Sequence, residues 1–110
     1  MFYCYVEIIS TNIYKILRLY HHMKNENSNQ IIHHDKIIYW RRSKRGWAII
    51  IMPDNVRTDN FHGFSHIHMQ VKGEHEPIKY DDFESVYNII IDHIERNKGI
   101  NKKELRLELI

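Results

Sequence analysis

Four histidines fall within the fifteen residues FHGFSHIHMQVKGEH, from Phe61 to His75. Imidazole ordinarily titrates near pH ~6.5, so it can both give and take a proton at neutral pH, and its neutral nitrogen is a metal ligand. Spacing decides which histidines can act together. His66 and His68 are two apart, so on a strand they share a face, separated by about two strand rises, ~7 Å. Phe64 and Gln70 extend that face, while Ile67, Met69 and Val71 are expected to point into the core.

Three chemistries suit such a pair. A His-x-His strand supplies two ligands to zinc, manganese or iron, the third coming from a neighbour such as His62, His75, Glu74 or His34. This resembles the first half of a cupin motif, although Glu74 lies too far along and the chain is short for a double-sheet fold. HIHMQV also looks like the His-x-His-x-Gln variant of the histidine-triad nucleotidyl transferases. That resemblance implies a nucleophilic His68, with Gln70 replacing a third histidine. The third chemistry is metal-free ribonuclease action. One histidine takes the proton of a ribose 2′-OH, another protonates the leaving oxygen, and an Arg or Lys stabilises the charged phosphorane. Here His66 and His68 are the expected acid–base residues, no cofactor is required, and a divalent metal remains open. His62, His34 and Asp54 are secondary candidates.

A phosphate-bearing substrate agrees with the charge pattern. Net charge is only +2, yet RRSKR puts four cations into residues 41–45. Arg41, Arg42 and Arg45 are expected to hold phosphates, and Tyr20, Tyr39 or Trp40 to stack unpaired bases. RNA is the expected partner. A non-catalytic module that binds RNA or protein through a basic turn and an open strand edge explains the same charges.

Composition bounds the rest. A chain of 110 residues supports one domain with one core, and 43% hydrophobic residues mark a folded globule. The sequence holds 19 Ile against a single Ala, Ala48, and β-branched Ile favours strands. One cysteine, Cys4, excludes an internal disulfide and fits a reducing, cytoplasmic compartment. The opening MFYCYVEII is short, carries Glu7 and does not read as a signal peptide. No apolar run approaches the ~20 residues of a membrane span.

The elements that must position these residues follow from period and turn chemistry. Strands are expected at 2–9, 13–23, 31–40, 47–52 and 64–72, with KNENSNQ (24–30), RRSKRG and PDNVRTDN (53–60) as connections. His33 and His34, in mid-strand, would then point to opposite faces. From Asp82 the apolar residues Phe83, Val86, Tyr87, Ile90 and Ile94 take helical spacing. Asp81 with Glu84 suits a capping start, and Lys98-Gly99 a stop. Residues 100–110 alternate through Leu105, Leu107 and Leu109, as a short final strand or a loose tail. The expected architecture is a single α+β domain: an antiparallel sheet of about five strands with one long C-terminal helix packed on one face.

In this order the elements resemble the TumE-type toxins of prokaryotic toxin–antitoxin modules. The corresponding stretches are RLYHHM (18–23), PDN (53–55), FSHIH (64–68) and DDFESVYNIIIDHIE (81–95). The family pattern has a His-His pair after its Asp-Asn, where this chain has Val56 and Arg57, and a further histidine where it has Ile67. The resemblance implies RNA cleavage and a cognate antitoxin protein covering the toxin. A homodimer is a further candidate assembly.

Overall fold

A computed structural model describes residues 27–110. The strands expected at 2–9 and 13–23, and with them Tyr20, lie outside the described residues. Within them the fold is α+β. Six strands form one antiparallel sheet in chain order: β1 (Ser28–His33), β2 (Lys36–Ser43), β3 (Gly46–Met52), β4 (Val56–Asp59), β5 (His66–His68) and β6 (His75–Pro77). Two helices follow, α1 (Phe83–Asn97) and α2 (Lys102–Leu109).

Alternation along the strands explains the layering. In β2 and β3, Ile38, Trp40, Trp47, Ile49 and Ile51 are buried, while Tyr39 and Arg41 between them are exposed. The buried set faces α1, whose Phe83, Val86, Tyr87, Ile90 and Ile94 complete the core at helical spacing. With Ile67 and Ile91, seven core isoleucines are at most 1% exposed, each contributing roughly 1.5–3 kcal/mol of transfer energy. The other sheet face carries no described helix, and its polar residues belong to the candidate site.

Several boundaries differ from the sequence reading. The run 31–40 is two strands, because His34 adopts a left-handed φ of 56° and turns the chain between β1 and β2. His33 and His34 therefore sit together at a hairpin end, and both reach Glu95 of α1. Ser28–Gln30, expected in a loop, pair with Arg41–Tyr39. Arg41 and Arg42 belong to β2, so the turn is only Lys44-Arg45. Residues 56–59, also expected as loop, form β4 against β3, their chain reversed by Asn55 at φ 55°. The strand expected over 64–72 shrinks to His66–His68. Beyond it the chain bends back, Met69 N–H bonding the Glu74 carbonyl at 3.2 Å, and the unforeseen β6 pairs with β5. Val71, expected in the core, is 60% exposed.

The α1 boundaries nearly match. The cap is Asp82 instead of Asp81, its carboxylate accepting the Ser85 N–H at 2.9 Å. Lys98, at φ 51°, closes the helix with its N–H on the Ile94 carbonyl. The tail is a helix and not a strand. Asn101 caps it by accepting the Lys103 and Glu104 N–H groups, and Leu105 and Leu109, four apart, are buried while Leu107 stays exposed. No helix among the described residues is long and apolar enough to cross a membrane.

Candidate functional site

Register brings together the polar residues of the sheet face turned away from α1. Asp59 pairs with His66, and His68 with His75. On the far side, Arg41 pairs with Ala48, which pairs with Asp59. Arg57, two residues before Asp59, shares its face. One cross-sheet row thus runs Arg41, Ala48, Asp59, His66, flanked by Arg57, His68 and His75.

Asp59 is the hub. It is 1% exposed, and its two oxygens are fully engaged. Oδ2 accepts from Arg57 Nε at 2.8 Å and lies 2.7 Å from His68 Nε2. Oδ1 accepts the Phe61 N–H at 3.1 Å and lies 3.0 Å from His66 Nε2. Burial pushes this carboxyl's pKa up, but the bonds from Arg57, His68 and Phe61, with His66 alongside, bring it below the ordinary 3.8. Asp59 is an anion at neutral pH.

His66 is wholly buried. Its Nδ1 sits 2.9 Å from the Phe64 carbonyl, and its Nε2 3.3 Å from His68 Nε2. Burial, ahead of every other influence, holds its pKa below 6.5, helped by His68 and His75 and opposed by the Phe64 bond and Asp59. His68 keeps 31% of its side chain exposed, and His75 is half-buried. His62, in the loop between β4 and β5, stacks at 4.3 Å from His75 and 5.1 Å from His66. The His66, His68 and His75 rings lie 4.7–4.9 Å apart. All four histidines of the Phe61–His75 stretch therefore converge, with Asp59 beneath them.

A groove of about 670 Å³ lies on the same face, lined in part by Tyr39, Arg41, Ala48, Ile50, Arg57 and Phe61. Of its lining, Arg57 bonds Asp59 and the Phe61 N–H donates to it, while Arg41 stands one strand further across.

The expected site residues divide. His66, His68 and His62 come together, although His66 is buried and not on a solvent-side surface. Arg41 shares their face. Arg42 faces the helices, where it bonds Glu84 at 3.2 Å and lies over the Trp40 and Phe83 rings. Arg45 is exposed at the β2–β3 turn. His34 joins His33 and Glu95 in a separate group, and Asp54 pairs with Lys36 at 2.7 Å. Gln70 and Glu74, which the transferase and cupin patterns would need, are exposed beyond β5. Asp59 and Arg57 were hidden inside the presumed loop 53–60. The β-branched alternation of Val56 and Thr58 was the signal for β4, and it fixes the face on which Arg57 and Asp59 lie.

No family model, curated protein or solved structure matches the chain.

Proposed function

We propose that the protein cleaves RNA by metal-independent acid–base chemistry at the Asp59–His66–His68–His75 centre. The observation that carries this reading is a partly exposed imidazole, His68, bonded at 2.7 Å to a buried carboxylate. In that pair Nε2–H donates to Asp59, so Nδ1 holds the lone pair that accepts a proton. Asp59 fixes the tautomer and stabilises the imidazolium that forms, a division of labour familiar from His–Asp pairs.

In the proposed reaction His68 Nδ1 takes the 2′-OH proton, and the 2′-oxygen attacks phosphorus. The P–O5′ bond breaks, and protonated His75 gives its proton to the leaving 5′-oxygen, leaving a 2′,3′-cyclic phosphate. His66, being buried, positions His68 instead of touching substrate. Arg57 and Arg41 hold the phosphates, and Tyr39 and Phe61 offer stacking surfaces to unpaired bases. The resemblance to TumE-type toxins points the same way. Its Asp-Asn element, Asp54-Asn55, lies at the β3–β4 turn, where Asp54 pairs with Lys36. On that resemblance a cognate antitoxin would cover the His68 face.

The test is cleavage of a mixed-sequence single-stranded RNA in EDTA, with matched DNA and the His68→Ala protein alongside. RNA cut in EDTA, DNA spared and the variant inactive is the expected result. No cleavage of RNA under any condition would leave a binding module as the better account.

A further inference from the structure

Four nitrogen and oxygen atoms crowd together at the centre. Asp59 Oδ1 is 3.0 Å from His66 Nε2, Asp59 Oδ2 is 2.7 Å from His68 Nε2, and the two Nε2 atoms are 3.3 Å apart. Hydrogen bonding accounts for only part of this. The Phe64 carbonyl can only accept, so the His66 proton sits on Nδ1. In the neutral ring Nε2 then carries a lone pair, directed at a carboxylate oxygen and a second imidazole nitrogen. The His68 Nε2 proton can bridge to Asp59 Oδ2 or lean toward His66, but with His66 neutral no proton lies between its Nε2 and Asp59 Oδ1.

We propose that this centre is a binding site for a first-row transition-metal dication of the zinc class, with Asp59, His66 Nε2 and His68 Nε2 as ligands. A four-coordinate metal with bonds of ~2.0–2.1 Å sets neighbouring ligand atoms about 3.3 Å apart. The His–His edge already has that length; with the carboxylate bound through one oxygen, the Oδ1–His66 edge must open by about 0.3 Å or the Oδ2–His68 edge by about 0.6 Å. The Nδ1–H bond from His66 to the Phe64 carbonyl is the outer support that metal-bound histidines commonly use to fix ring and tautomer. Two imidazoles and one carboxylate suit zinc, iron or nickel better than magnesium or calcium, which prefer all-oxygen shells. His62 and His75, grouped with His66, stand close enough to supply a fourth ligand. Arg57 is the opposing charge. Its side chain is 42% exposed, so it can release Oδ2 to solvent as the metal enters.

The consequence rests on the proposed function. Coordination through His68 Nε2 moves that ring's proton to Nδ1, which removes the lone pair that takes the 2′-OH proton. The metal is therefore an inhibitor of the acid–base reaction and not its cofactor.

The experiment has two arms, each run on the full chain stripped of metal. In the first, Zn²⁺ is titrated calorimetrically and against a chromogenic chelator, and Co²⁺ is added to read tetrahedral coordination by its visible absorption. One equivalent is expected to bind, with affinity reduced at least ~10-fold in His68→Ala and in His66→Ala. Because His66→Ala removes a buried ring, its circular dichroism is checked, and the half-exposed His68→Ala decides the matter if it unfolds. Absence of binding, or binding unchanged in His68→Ala, overturns the site. In the second arm RNA cleavage is followed in chelator and after one equivalent of Zn²⁺. Cleavage in chelator that stops on adding Zn²⁺ supports inhibition, and cleavage that requires Zn²⁺ overturns it while leaving the site standing. Cleavage in neither condition refutes the proposed function, and the first arm still decides the metal site.

Discussion

Asp59→Asn separates the centre seen here from the Asp54 site that the sequence suggested. The substitution keeps shape but removes one negative charge and one acceptor. Asp59 receives bonds from Arg57 Nε, His68 Nε2 and the Phe61 N–H at 2.8, 2.7 and 3.1 Å, in a site 1% exposed. The least damaging amide orientation keeps its oxygen toward Arg57 and His68 and turns its NH₂ toward His66. The Phe61 bond is then lost to a donor–donor contact, and the two remaining bonds lose their charged acceptor. Hydrogen bonds to charged groups contribute about 1.5–3 kcal/mol against about 1 for neutral ones, so the loss sums to about 2–4 kcal/mol. With a urea slope of about 2 kcal/mol/M, the midpoint falls by about 1–2 M. Urea melts followed by the fluorescence of Trp40 and Trp47 would read it. RNA cleavage at a urea-free, fully folded temperature should fall by about 10²–10⁴, the usual contribution of a positioned base. Asp54→Asn should cleave as the wild type does. A midpoint within about 0.3 M of wild type, with undiminished cleavage, would refute the claim that Asp59 is the hub.

The two arginines of β2 should behave differently. Arg41→Ala is expected to weaken RNA binding at the same stability and to lower the salt slope by about 1, measured in a His68→Ala background. Arg42→Ala should leave RNA binding intact and destabilise by about 0.5–2 kcal/mol through the lost cation–π contacts, read by thermal melts. Glu108 tests pH linkage at the joint between α1 and α2. Burial pushes its carboxyl up, but Arg96 and His93 bring it below the ordinary 4.5. A depressed folded pKa gives stability that is full above the unfolded value and lost as pH falls through the folded one. The stability gap between wild type and Glu108→Gln should therefore be constant above pH 4.5 and close below it, in melts taken along an acid series. Gly46→Ala should destabilise by about 1–3 kcal/mol. Its φ is +149°, and the new Cβ would stand 2.2 Å from the Asn60 Oδ1 that holds the Trp47 N–H at 2.7 Å. Denaturant melts would show a normal midpoint if that bond were dispensable.

The helix over residues 83–97 was legible because five apolar residues, Phe83 to Ile94, keep one period across about three turns. β3 was legible because WAIIIM is an almost wholly apolar, β-branched run, whereas β2 was read only as the second half of a longer strand over 31–40. What failed were short strands. β4 has four residues and β5 and β6 three each, too few for alternation to stand out from a loop rich in Asp, Asn and His. Their pairing comes from the neighbouring strands, not from local preference. The His66/His68 pair was visible through its spacing, whereas Asp59 could join it only once β4 was recognised and its register known. The tail misled for a related reason: Leu105, Leu107 and Leu109 alternate, but Leu105 and Leu109 are also one helical turn apart. The Asn101 cap and burial against α1 decide for the helix.

Two buried histidines show why the centre is more than a polar filling of the sheet. His93 and His66 are both fully buried, and both contact a carboxylate. At His93 the bonding is complementary. Nδ1 lies 3.1 Å from Glu108 Oε2, with the Asn97 amide nitrogen alongside at 3.3 Å, and Nε2 accepts the Asn101 N–H at 3.4 Å, so each nitrogen has a partner of opposite character. That histidine locks α1 to α2 and asks for nothing further. At His66, Nδ1 is matched by a carbonyl, but among the described residues Nε2 meets an anion and another imidazole. A domain of this size is stable by about 5–15 kcal/mol in all, and taking a carboxylate and a mismatched imidazole out of water consumes several of those. The chain has isoleucine to fill such positions, and it does so in the facing row at Ile49, Thr58 and Ile67, where the only polar atom is a threonine hydroxyl. Keeping Asp59 and His66 on the sheet face turned away from α1 therefore sacrifices stability for a site whose mismatched lone pairs a proton or a cation can resolve.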